Sequence, residues 1–128
     1  AALPPVIAGR FTVHGSHDLG RVAQGPNAIL IDAGEAFGTA HHATTYGCLT
    51  AIDRLTRRRA FHRVLDLGCG SGVLAIGAAR VLPKATIIAT DMDPTSVDVA
   101  RSNMAANTAP SRIATHVATG LAHPKLRR

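Results

Sequence analysis

The sequence predicts an α/β domain built on a doubly wound, parallel sheet. Three observations lead there. Short apolar runs alternate with helical patterns from Arg63 onward, in the order strand, helix, strand, helix, strand. A glycine-rich turn, DLGCGSG at 66–72, sits between the first of those strands and its helix. The apolar content is Ala, Val, Leu and Ile, with hydrophobic residues at 46% and aromatics at 3%. That mixture suits a sheet covered by Ala-rich helices better than a β-sandwich.

Each element has its own signal. Residues 1–10, AALPPVIAGR, read as an extended, Pro-containing lead-in of the kind that links domains. Residues 10–18 and 27–32 each read as a strand, with a Gly/Pro turn between them. From about Ala43 to Arg59, Leu49, Ile52 and Leu55 recur near helical spacing, so this stretch is expected to be a helix. HRVLDLG is a short apolar run expected to be a buried parallel strand ending at Asp66. SGVLAIGAARVL then forms a helix, and KATIIATD a second buried strand ending at Asp91. Asp93-Pro94 starts the next helix, with Asp as N-cap and Pro at the first helical position. That helix runs to about Asn107 and buries Val97, Ala100 and Met104, and residues 112–118 make a third parallel strand. Residues 1–26 are accordingly assigned to a lead-in and first strand, and 27–128 to a partial domain.

Charge and cysteine use narrow the field. The formal charge is +6, from 14 Lys and Arg against 8 Asp and Glu. Arg57, Arg58, Arg59 and Arg63 cluster together, and Lys125, Arg127 and Arg128 form a second group. The triple Arg is expected to close a helix, where cations complement the C-terminal dipole, and no aromatic interleaving suggests a nucleic-acid surface. No direct nucleic-acid partner is therefore expected. No apolar run reaches the ~18 residues that would span a bilayer, so no membrane partner is expected either. Two cysteines make no disulfide framework, and a reducing, cytoplasmic setting is the default. The first residue is Ala, so a longer product is expected. His14 and His17 form an H-x-x-H, but a strand would not put both rings on one face, and no metal site is expected.

The glycine turn carries the chemistry. Gly68, Gly70 and Gly72 let a ligand approach the backbone closely. A dinucleotide fingerprint would place its third glycine one position later, where Val73 stands. Asp66 precedes the first glycine; a carboxylate there repels a pyrophosphate and suits an ammonium group. Asp91 ends the next strand, 19 residues after Gly72, the interval at which a carboxylate accepts hydrogen bonds from ribose hydroxyls. A nucleoside with an amino-acid tail and no phosphate satisfies both, and S-adenosylmethionine is such a molecule.

With those residues in view, DLGCGSGVLAIGAA followed by ATDMDPTSVDVARSN resembles the cofactor half of a class I S-adenosylmethionine-dependent methyltransferase. DAGEAFGTAHHATT, at 32–45, is narrower. It resembles the P-G-x-A-F-G-T-G-x-H-x-T-T loop of the ribosomal protein L-eleven methyltransferases of PrmA type. The resemblance runs from about Phe11 to Asn107. It implies that Thr45, Gly68 and Asp91 contact the cofactor and that Met92 lies against the adenine. Phe37 would cover the methionine end, shape an amine channel, or pack within the loop. His42 would order the loop or meet substrate, or simply hydrogen-bond locally. Ala33 and Ala40 stand where the family has Pro and Gly, and the chain ends before the family's Asn-centred motif. The family's N-terminal domain, which grips the ribosomal protein, is expected to lie outside these residues.

The implied fold is a Rossmann-like class I methyltransferase fold truncated to the N-terminal, cofactor-binding half of the sheet. The implied activity is methylation of lysine or α-amino groups of ribosomal protein L-eleven, reduced or absent in this portion alone. The alternatives are a cofactor-binding remnant, or a methyltransferase acting on RNA or a small molecule. The strand ending at Asp66 is central in such enzymes and is expected here to be a bare edge. Cys69 has no neighbouring His in sequence and is expected to be a small packing residue rather than a nucleophile.

Overall fold

The computed structural model describes residues 4–32 and 39–126, and of 39–42 the backbone alone. Two three-stranded sheets share one core with three helices. The second sheet holds the glycine turn. Its strands β4 (Arg63–Leu67), β5 (Thr86–Asp91) and β6 (Ile113–Val117) are all parallel and lie side by side in that order. Helix α2 (Val73–Val81) follows β4 and α3 (Pro94–Asn107) follows β5, giving the expected strand–helix alternation.

Local chemistry sets the helix ends. Asp93 accepts a hydrogen bond from the Thr95 backbone N–H at 3.0 Å, and Pro94 opens α3, as the sequence predicts. Helix α1 (Thr39–Arg58) begins earlier than expected and ends with Arg57 and Arg58 in its last turn. The Arg59 guanidinium lies 4.7 Å over the Phe61 ring, so one arginine of the cluster stacks within the chain.

The first sheet departs from expectation. The lead-in is not a linker: β1 (Val6–Ala8) pairs antiparallel with β2 (Phe11–His14), and β3 (Ala28–Leu30) adds in parallel. Gly9 supplies positive φ at the first position of the two-residue connection, the geometry that matches strand twist in a tight hairpin. The strand expected over 10–18 stops at His14, and Ser16–Asp18 is a 3-10 helix. This sheet is tied down by polar groups. The Asp53 carboxylate of α1 pairs with Arg10 at 2.6 Å and Arg57 at 2.9 Å. Arg80 of α2 donates to the carbonyls of Pro26 and Ala28. Asn107 of α3 accepts from the Leu30 N–H and donates to the Leu30 carbonyl.

The helices cover only one face of the second sheet. Val64, Ile87, Ala89, Ile113 and Thr115 point toward them, into the shared core. Leu65, Leu67, Ile88, Ala114 and His116 point the other way, and Leu65 and Leu67 are 40% and 50% exposed. The expectation that β4 is buried is therefore corrected: its burial alternates between partial and exposed because it has one covered face and lies at the sheet edge. Among the described residues no helix is long and apolar enough to cross a membrane.

Candidate functional site

The site is assembled at the carboxyl ends of β4 and β5. Gly68, Gly70 and Gly72 all adopt left-handed φ, of 67°, 51° and 83°. Among the described residues, a Cβ on Gly68 or Gly70 would meet nothing within 4 Å, so these two leave space beside the turn. Gly72 serves a different purpose: a Cβ there would come within 3.0 Å of Met104 Cε and 3.3 Å of Ala100 Cβ on α3. The turn is thus open toward solvent and closed toward the core.

Asp66 and Asp91 project from the same face of the sheet, on neighbouring strands that flank this turn. Asp91 Oδ2 accepts from the Gly70 N–H at 3.1 Å, and its Oδ1 accepts from the Asp93 N–H at 3.0 Å. Each carboxylate oxygen can accept a further hydrogen bond. Asp66 is more deeply set. Its Oδ2 is buried and has no hydrogen-bond partner among the described residues. Burial pushes the Asp66 carboxyl up to about 6, against a hydrogen bond from the Ala75 backbone that favours the charge, with the Asp91 charge adding to the rise. An unpaired buried carboxylate oxygen beside an open glycine turn fits a cationic ligand group.

Cys69 lies between them, buried, its N–H bound to the Thr90 carbonyl at 2.8 Å. Burial, and then the charges of Asp66 and Asp91, push its thiol up to about 12, which leaves it protonated and inert as a nucleophile. This agrees with a packing role.

The other predicted residues are distributed around this centre. Thr45 is buried on α1 and makes no hydrogen bond to the turn. Met92 is 70% exposed at the rim, directly after β5. Phe37 and the side chain of His42 lie outside the described residues. His14 is buried on β2 with Nδ1 2.9 Å from the Gly15 carbonyl, whereas His17 pairs with Asp18 at 3.0 Å. Among the described residues no group of three or more His, Cys, Asp or Glu could hold a metal ion.

One positioning residue escaped the sequence reading. Asn103 is buried on α3 and donates to the Ser71 carbonyl at 3.0 Å, tying the helix to the glycine turn. The signal was available: Asn103 falls at helical spacing among Val97, Ala100 and Met104, where a polar residue needs a partner.

A family model described as ribosomal protein L11 methyltransferase (PrmA) matches residues 2–126. The chain belongs to this family. It is 55% identical over 118 residues to a ribosomal protein L11 methyltransferase of Rhizobium etli (strain CIAT 652), covering 92% of this chain and 40% of that relative. A Brucella suis relative of the same description is 50% identical over 125 residues, covering 98% of this chain and 44% of the relative. The chain therefore spans less than half the length of these curated relatives. Among solved structures, a ribosomal protein L11 methylase from Lactobacillus delbrueckii subsp. bulgaricus superposes with a TM-score of 0.75 at 25% identity. The superposition takes in 97% of this chain and 61% of that one. The α/β fold is thus shared with that solved structure over nearly the whole of this chain.

Proposed function

We propose that this chain is the cofactor half of an S-adenosylmethionine-dependent protein N-methyltransferase that acts on amino groups of ribosomal protein L11, in the cytoplasm. The observation that carries the reading is the pair of carboxylates on one sheet face around an open glycine turn. When bound, S-adenosylmethionine supplies a methyl group on a sulfonium, which needs no activation by an enzyme nucleophile. The chain's own residues fit the molecule in three ways. Asp66 Oδ2, buried with no partner among the described residues, suits the ammonium of an amino-acid tail. The open space beside Gly68 and Gly70 admits the ligand against the backbone. Asp91, oriented by the Gly70 and Asp93 N–H groups, keeps acceptor capacity for two ribose hydroxyls. Thr45, Gly72 and Met92 complete the proposed cofactor set, with Phe37 and His42 assigned to the substrate loop.

Methyl transfer to an amine depends mainly on alignment, exclusion of water and an uncharged acceptor. The residues here hold and orient the donor, and no catalytic side chain is assigned. Because β4 is the edge strand among the described residues, micromolar affinity with little or no turnover is expected. That open edge is also what favours the second reading, a cofactor-binding module without activity of its own.

Titration calorimetry with S-adenosylmethionine, and with NAD as control, tests the proposal. Micromolar binding of the first alone, lost in Asp91→Ala, is the expected result. Binding of NAD in preference, or affinity unchanged in Asp91→Ala, overturns it. Transfer of a labelled methyl group to amino groups of L11 separates the protein methyltransferase from the binding module, and label in RNA would redirect the substrate assignment.

A further inference from the structure

After β6 the chain folds back across the helix-free face of the second sheet. His116 points to that face, beside Thr90 in register, and the ring of His123 stacks on it with centroids 4.5 Å apart and planes 23° from parallel. A 3-10 helix at Pro124–Leu126 follows. Lys125 and Leu126 then line a hollow of about 550 Å³ with Arg63, Leu65, Thr86 and Ile88. The returning segment has few other anchors: residues 119–122 are exposed, and the backbone bonds of Ala122 and Leu126 are local. At its start, the Ala118 N–H bonds to the backbone carbonyl of Asp91 at 3.0 Å. The segment therefore borders the proposed ligand site.

We propose that the His116–His123 stack is a pH-operated clasp, which holds residues 118–126 in place while both imidazoles are neutral and frees the border of the Asp91 site in mild acid. Its relevance to ligand binding rests on the proposed function, but the clasp itself does not. The hydrogen-bond pattern requires a neutral His123. The Lys125 N–H donates to His123 Nδ1 at 3.0 Å, so that nitrogen must carry a lone pair, and protonating the ring removes this bond. The surroundings of His116 oppose a proton as well. The charges that act on it are those of His123 and Lys125 in the returning segment and Arg101 on α3 across the sheet, while its neighbour on β5, Thr90, is uncharged.

Burial first, and then His123, Lys125 and Arg101, hold the His116 ring below its ordinary value of 6.5. A group whose value is lowered in the closed form is protonated more readily in the open one. The closed form is thus favoured above the ordinary value, and opening gains ground as pH falls below it. Asp66, at about 6, titrates over the same range, so the pH dependence of ligand binding cannot by itself report the clasp.

Amide hydrogen exchange of the full chain, corrected for intrinsic rates, isolates it. Between about pH 7.5 and about pH 5.5 the Ala118 amide should lose protection about tenfold, while the Cys69 amide, bound to the Thr90 carbonyl, holds its own. His123→Phe keeps a ring on the stack but cannot take a charge, and should reduce the pH effect to within about twofold. His116→Gln removes the other ring and should leave Ala118 unprotected at both pH values, with Cys69 reporting that the fold persists. Equal Ala118 protection at the two pH values in the wild type, or an undiminished drop in His123→Phe, overturns the clasp. If the exchange behaves as expected but S-adenosylmethionine gives no heat at either pH, the clasp stands and the ligand reading fails.

Discussion

The two sheets of this molecule solve different problems. The first has strands of three or four residues, yet Phe11, Val13 and Ile29 are almost wholly buried, and Asp53, Arg80 and Asn107 tether its turns to all three helices. The second has strands of five or six residues, is covered by helices on one face only, and leaves Leu65 and Leu67 largely open on the other. Apolar packing dominates the first. The second sets at its carboxyl end a glycine turn and a carboxylate whose Oδ2 is buried with no partner among the described residues. The comparison teaches that core and chemistry are divided here: the less regular sheet anchors the fold, and the more regular one carries the site.

The largest expected effect breaks that contrast if it fails. Phe11→Ala should cost about 3–5 kcal/mol in urea unfolding, since a fully buried ring leaves a cavity, whereas Leu65→Ala should cost under about 1 kcal/mol. Similar losses at the two positions would remove the distinction. Next, Gly72→Ala should destabilise by about 2 kcal/mol, from left-handed strain and the close approach to Met104 and Ala100. Gly68→Ala carries the strain without the contact and should cost less, while its methyl group fills space open to ligand. Equal thermal shifts for the two would show that packing against α3 is not what selects Gly72.

The smallest effect has the opposite sign. Because the Asp66 carboxyl is raised to about 6, the native state holds a proton more tightly than the unfolded chain, whose value is near 3.8. Its contribution to stability is therefore greatest in acid and falls as pH rises from 3.8 through about 6. Asp66→Asn removes the buried charge and should gain about 1 kcal/mol at neutral pH, with a flatter dependence of melting temperature on pH between 4 and 7. A loss of stability at neutral pH would mean that the carboxylate has a partner that sharpens the site rather than straining it.

Legibility in the sequence followed the range of the interactions. The start of α3 could be read from Asp93-Pro94 because a cap and a fixed φ act within three residues. The glycine turn and its two carboxylates were equally plain, since the residues follow directly from strand to turn. The first sheet was missed in part: Val6–Ala8 lies in a Pro-containing stretch, and its pairing with Phe11–His14 depends on Gly9 and on Asp53, which is distant in sequence. Asn103 was legible only as a polar residue on an apolar stripe; its partner, Ser71, is supplied by another element.

The sequence by itself determined the alternation of strands and helices from Arg63 onward, the turn at 68–72, and which carboxylates flank it. Those features rest on local propensity, chain direction and spacing, all of which are written in consecutive residues. Tertiary structure alone decided that Asp91 is tied to the Gly70 N–H and that burial pushes the Asp66 carboxyl up to about 6. Burial, sheet order and the distance between charges arise only when segments far apart in the chain are packed together.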